Sequence, residues 1–180
     1  NMNDVNKEKI IVSAGRLVPW KGFGALVEIM EELPDWRLVI IGDGPEKKNL
    51  ESRIQNLELE RKVKLTGAIS REELLEYLCK ASLFILNTAF ESFSFQVVEA
   101  MNAGVPVITT NIGNLAEIID KGKEGILIEP NNKLQILEAI KKIDNNNEFR
   151  AQIIENSKKK AQHFSIDRTM DNLVVLLKKL

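Results

Sequence analysis

SLFILNTAFESFSFQVVEAMNAGVPVITT, residues 82–110, contains strand, loop, helix, turn and strand in immediate succession. Leu83, Phe84, Ile85 and Leu86 form an apolar run of strand length, and the more polar residues 87–92 leave its carboxyl end as a loop. From Phe93 the pattern turns helical, with Phe95, Val98 and Met101 expected on one side, and Gly104 with Pro106 closes the helix. Residues 105–109 are then the next strand. A strand that passes through a helix into another strand is the building unit of a parallel sheet. The loop that leaves such a strand and opens a helix offers backbone amides and the positive end of a helix dipole to the crevice where open α/β sheets bind ligands. The expected guest is a phosphate.

The same unit recurs along the chain. Lys9–Ala14 is a buried strand running into Gly15-Arg16-Leu17-Val18-Pro19-Trp20-Lys21-Gly22, a basic loop bounded by glycines. Leu26, Ile29, Met30 and Leu33 then mark one helix face, and Pro34 stops it. Residues 36–42 are a second strand, followed by a helix start at Asp43-Gly44-Pro45-Glu46 with proline in the first turn. Residues 62–66 are a third strand, and Ser70-Arg71-Glu72-Glu73 is a capping box ahead of a helix carrying Leu74, Leu75 and Leu78. Residues 125–128 form a sixth strand; Ile136, Leu137, Ile140 and Ile143 mark a helix, and residues 149–164 another. Ser165 or Asp167 caps a last helix with Met170, Leu173, Val174 and Leu177 on one face. Six strands alternating with helices predict an α/β fold, a doubly wound parallel six-stranded sheet of Rossmann-like type, in a single domain spanning residues 1–180.

Composition narrows the function. With 180 residues, 44% of them apolar, the chain can bury one real core. A net charge of −1 gives no general attraction to nucleic acid or acidic membranes, and Lys158-Lys159-Lys160 reads as a solvated helix face. One Cys and one His exclude disulfides and a Cys/His metal cluster; Cys79, beside Leu75 and Leu78, is expected as a small core residue, and a reducing, cytoplasmic setting fits. The apolar runs stop at strand length, so neither a transmembrane helix nor a signal peptide is expected. Asn1 ahead of Met2 reads as a tag remnant before a start methionine, which suggests an excised piece of a longer protein.

Four residues stand out as chemistry. Arg16 and Lys21 lie in the loop after the first strand, at the same sheet edge as Glu91, and two cations facing a helix N-terminus suit a diphosphate, the Arg as a planar fork and the Lys as a movable charge. Glu91 in the loop and Glu99 one to two turns into the helix can face the crevice at different depths. Taken alone, the acids also fit a solvated loop residue and a helix-surface residue, and the cations fit ordinary loop charges. Gly42-Asp43-Gly44-Pro45 lacks the third glycine and the downstream acid of a dinucleotide fingerprint, so NAD is not expected. His163 is expected to be structural and partly exposed.

The run from Glu91 through Glu99 to Ile108 resembles the E-x7-E segment of retaining glycosyltransferases with the GT-B fold, family 4 (group 1). The Gly15-Arg16-Leu17 … Lys21-Gly22 string resembles the same family, and Gly113-Asn114-Leu115-Ala116-Glu117 resembles its GG-x-x-E segment, read here as mainly structural. Ser92 and Ser94 stand where the family usually has glycine, and each still supplies an amide. The resemblance implies a nucleotide-sugar donor, a UDP- or GDP-sugar, held without a metal. By it, Glu91 meets the donor sugar, Glu99 holds the ribose hydroxyls, and the amides of Ser92, Phe93, Ser94 and Phe95 hold the diphosphate. Gly15, Arg16 and Lys21 line and neutralise that diphosphate as it leaves, and the backbone of Ala68 and Ile69 meets the base. It also implies a missing amino-terminal acceptor domain, a glycan or lipid-linked acceptor, and a site that is cytoplasmic or peripheral at the inner membrane surface. Two other readings share the sheet: half of a non-hydrolysing nucleotide-sugar epimerase, which needs acid and histidine groups for proton abstraction, and a flavodoxin-like binding module, whose receiver form needs acids where this chain has Gly15 and Arg16.

Overall fold

The computed structural model describes residues 9–113, 115–120 and 122–164. Six strands form a parallel sheet: β1 (Lys9–Ala14), β2 (Trp36–Ile41), β3 (Val63–Leu65), β4 (Leu83–Leu86), β5 (Val107–Thr110) and β6 (Ile126–Ile128), in the order β3-β2-β1-β4-β5-β6. Between them and after them run α1 (Phe23–Glu28), α2 (Lys47–Asn56), α3 (Arg71–Lys80), α4 (Phe95–Asn102), α5 (Leu115–Ile118), α6 (Lys133–Asp144) and α7 (Asn147–Ala161). The fold is the expected doubly wound sheet.

Successive strand side chains point to opposite faces, and both faces are covered. Ile11, Leu38, Ile40, Leu83, Ile85 and Ile108 enter one core with apolar residues of α1, α2 and α6. Val12, Val39, Ile41, Phe84, Leu86 and Val107 enter the other with residues of α3, α4 and α5. Burial on both sides is why these strands read as unbroken apolar runs instead of alternating ones. Each fully buried Ile, Leu or Phe contributes about 1.5–3 kcal/mol.

The strand order reverses where β1 pairs with β4, through Ile11 with Leu83 and Val12 with Phe84. The helix after β1 carries Phe23, Leu26 and Val27 into the first core, and the helix after β4 carries Val97, Val98 and Met101 into the second. The two connections therefore leave toward opposite faces and open a crevice at the carboxyl edge of the sheet, the place where doubly wound folds take ligands.

Several local expectations change. The helix expected over residues 26–33 ends at Glu28 and tightens into a 3-10 turn, Ile29–Glu32, because Leu33 before Pro34 sits at φ −119, ψ 72, outside the helical region. Leu26, Ile29, Met30 and Leu33 are all buried as the spacing requires. Pro45 lies in a turn ahead of α2, where Glu46 N donates to Leu17 O (3.0 Å) and ties that turn to the loop after β1. Helix α4 starts at Phe95 instead of Phe93, since the Ser94 hydroxyl caps it by accepting from Val97 N (3.3 Å). Phe95 is not on the buried face with Val98 and Met101: it is 72% exposed, because Phe93 packs against the second core and takes the edge of the Phe95 ring at a centroid distance of 5.1 Å. Cys79 is exposed and not in the core, the buried position of that helix turn being filled by Leu78. His163 is exposed, in a 3-10 turn. Asn114 and the helix expected after Ser165 lie outside the described residues.

Candidate functional site

The crevice is held by a buried polar knot. Asn87, at the end of β4, is fully buried; its Nδ2 donates to Gly22 O (2.9 Å) and to Asn131 Oδ1 (3.1 Å), and its Oδ1 accepts from Asn131 N (2.8 Å). Two residues on, Ala89 N donates to Trp20 O (2.7 Å), and the Thr110 hydroxyl donates to Thr88 O (2.7 Å). The loops after β1, β4 and β6 are thus fastened to one another through one side chain. Gly22 sits at the centre of the knot with φ 62, and a Cβ there would overlap the Asn87 carbonyl and amide. None of this was expected from the sequence, although Asn87 directly after an apolar strand was the available signal.

The knot brings Lys21 to Glu91. Their side chains form an ion pair and are each 14% exposed. Gly15 lies alongside: a methyl group built on it would be 3.8 Å from Lys21 Nζ. Gly113 packs under the same loop, at φ 50, where a Cβ would overlap the Glu91 carbonyl, so the structural role expected of the residue 113–117 turn is to let the Glu91 backbone come close.

Beside this pair is a cavity of about 420 Å³ lined by Gly15, Arg16, Ala68, Ile69, Phe95 and Glu99 among others. Six of the expected site residues, drawn from the ends of β1 and β3 and from α4, therefore share one space. Ser92 is exposed, Phe93 half-buried and Ser94 buried as the helix cap, and these three do not line it. The amides of Phe95 and Gln96, ahead of Val97 in the first turn of α4, have no acceptor within the helix, and both residues line the cavity. A larger cavity, about 710 Å³, lies along α1 and α2 among Glu28, Glu31, Glu46 and Arg53, but no residue from the loops after β1, β3 or β4 lines it.

Arg71 is the lining residue that the sequence reading missed as chemistry, having been read only as part of a capping box. Its Nε donates to Glu99 Oε1 at 2.7 Å, with Arg71 72% and Glu99 17% exposed. That hydrogen bond, and then the charge of Glu99, raise the guanidinium pKa further. Asp43 and Gln96 also line the cavity. Lys21 is paired with Glu91 and Arg71 with Glu99, so an incoming anion that recruits either cation must exchange it from a carboxylate. Among the described residues, no group of three or more His, Cys, Asp or Glu is placed to hold a metal ion, and no helix is long and apolar enough to cross a membrane.

Comparison with known proteins identifies the family of the chain. The profile of the glycosyl transferases group 1 family matches residues 2–160. An uncharacterized glycosyltransferase of Methanocaldococcus jannaschii is 32% identical over 174 residues, covering 92% of this chain and 49% of that protein. The 2-deoxystreptamine N-acetyl-D-glucosaminyltransferase of Niallia circulans is 35% identical over 127 residues, 68% of this chain and 33% of its own length. The chain thus spans about half, or less, of the length of these relatives. Among solved structures, Anabaena HepE in complex with UDP superposes with a TM-score of 0.88 at 26% identity, covering 97% of this chain and 50% of that one. The C-terminal domain of the group 1 glycosyl transferase LpcC from Francisella tularensis has the same fold, with a TM-score of 0.78 at 23% identity and coverage of 91% of this chain and 95% of that one. With a profile match across most of its length and this shared GT-B-type fold, the chain belongs to the group 1 glycosyl transferases.

Proposed function

We propose that these residues form the donor-binding half of a retaining glycosyltransferase that draws a hexosyl group from a UDP-sugar. The observation that carries the reading is the single cavity in which Gly15 and Arg16, Ala68 and Ile69, and Phe95 and Glu99 converge at the reversal of strand order, with the Lys21–Glu91 pair beside it. UDP is chosen over GDP because HepE, similar to this chain along 97% of its length, is described in complexes with UDP and with UDP-glucose.

In this reading the base lies on the backbone of Ala68 and Ile69, and Glu99 accepts from the ribose hydroxyls. The diphosphate lies between the first turn of α4 and Arg16 with Lys21. As the bond from the anomeric carbon to the diphosphate breaks, negative charge grows on the phosphate, and Arg16 and Lys21 stabilise it where it develops. The countercharge thus comes from side chains, and no metal is required for binding. Lys21 turns from Glu91 to the phosphate, which releases the Glu91 carboxylate to meet the donor sugar. The remaining length of the relatives supplies the acceptor domain, and the acceptor is a glycan or lipid-linked sugar of capsule, lipopolysaccharide or glycolipid synthesis.

Titration calorimetry with UDP, GDP and ADP, each with a chelator present, tests the donor reading. UDP should bind most tightly, and Glu99→Gln should weaken it by about 1.5–3 kcal/mol, the usual worth of a hydrogen bond to a charged group. Absence of nucleotide binding, or binding that disappears with the chelator and returns with magnesium, overturns it.

A further inference from the structure

We propose that Arg71 is a positioning residue for donor recognition, holding the Glu99 carboxylate in the orientation that reads the ribose hydroxyls; the inference rests on the donor site described under the proposed function. Three observations lead to it. Arg71 is the first residue of α3, directly after the Ser70 cap, whose hydroxyl accepts from Glu73 N (3.1 Å) while Glu73 Oε2 accepts from Ser70 N (2.9 Å). The reciprocal cap fixes the backbone of Arg71 relative to the Ala68–Ile69 segment that lines the same cavity. From this anchored start the side chain crosses to α4 and donates from Nε to Glu99 Oε1 at 2.7 Å.

An exposed arginine in an ion pair is ordinarily worth little, because water and salt screen it. This pair is lopsided. Glu99 is only 17% exposed, so its charge has lost most of its water and depends on the partner that it has. Among the described residues, Glu99 Oε2 takes no hydrogen bond, so with Oε1 engaged it is the oxygen left to accept from a ligand. A guanidinium is planar and its N–H directions are fixed, so a bond from Nε sets the plane of the carboxylate as well as its distance. Removing Arg71 therefore leaves the Glu99 side chain free to rotate, which should lower its ability to read hydroxyl groups without touching the diphosphate contacts of Arg16 and Lys21.

Calorimetric affinities for UDP and for 2′,3′-dideoxy-UDP, measured on the chain as it stands, separate this role from a general electrostatic one. The readout is the preference for UDP over the dideoxy analogue. Arg71→Ala should lower that preference about threefold to tenfold, the size expected for misplacing one charge-assisted hydrogen bond, and leave the dideoxy affinity nearly unchanged. Arg71→Lys should keep part of the preference. In a Glu99→Gln background, Arg71→Ala should add nothing. Equal weakening of both ligands by Arg71→Ala, or losses that add in the double variant, would show Arg71 acting directly on the nucleotide and overturn the inference while leaving the donor site intact. If the wild type binds neither ligand, or Glu99→Gln leaves the preference unchanged, the donor reading itself fails and the inference with it.

Discussion

Lys21 and Glu91 are 70 positions apart and meet with most of their water removed, each side chain being 14% exposed. That pairing changes what single substitutions should do. From the sequence, Glu91→Gln is expected to leave nucleotide affinity nearly unchanged, since Glu91 is assigned to the sugar. With Glu91 holding Lys21, the same substitution releases the ammonium for the diphosphate, so UDP should bind more tightly by about 0.5–1 kcal/mol while UDP-sugar binds more weakly. Parallel titrations of UDP and UDP-glucose against Glu91→Gln check the opposite signs; a weaker UDP affinity would mean that Glu91 and the phosphate do not compete for Lys21. The sequence marked Arg16, Lys21, Glu91 and Glu99 by their places around strands and helix starts. It did not mark which acid would meet which cation, because that depends on how two loops far apart in the chain are fastened together.

At the scale of elements, the site is as rigid as the Asn87 knot. Asn87 donates to the Gly22 carbonyl and to Asn131 Oδ1 and accepts from the Asn131 amide, making all three bonds from a fully buried position. Asn87→Ala should therefore destabilise the fold by about 2–4 kcal/mol, the cost of losing the hydrogen bonds of one buried side chain at about 1 kcal/mol each. Its melting temperature should fall by about 2–4 °C for each kcal/mol lost, and UDP affinity should fall with it as Lys21 and Glu91 lose register. A variant that melts as the wild type does would show that the loops are fastened by other contacts. Ser94 works on a shorter range, setting where α4 begins through its bond from Val97 N. That is why the helix starts two residues later than the apolar pattern suggests, and why Phe95 stands at the cavity and not in the core.

For the molecule as a whole, the two cores on either face of the sheet make ligand binding and folding one coupled equilibrium, since the loops of the site are continuous with the buried strands. UDP at one hundred times its dissociation constant should raise stability by about 2.7 kcal/mol and the melting temperature by about 5–11 °C, with chelator present. A flat thermal-shift curve would contradict a preformed nucleotide site. Sugar transfer is a different matter. The chain spans about half the length of its Methanocaldococcus jannaschii relative, and a donor site without an acceptor site should release no glycosylated product; turnover by these residues alone would overturn the two-domain reading.

What the sequence by itself determined is the architecture and the edge of the sheet where the crevice opens. Strand and helix periodicity is a local property, and β1, β2, β4 and β5 lie within about two residues of where their apolar runs place them. Turn and cap residues such as Ser70 act over three or four positions, so the capping box was legible too. Tertiary structure alone decided the pairing of charges, the exposure of Phe95 and Cys79, and the joining of three loops through Asn87. These are contacts between residues tens of positions apart, and their geometry follows from the sheet order β3-β2-β1-β4-β5-β6, which places the ends of β1 and β4 side by side although Ala14 and Leu86 are 72 positions apart (86 − 14). Local pattern carries no term for that distance; only the packed sheet does.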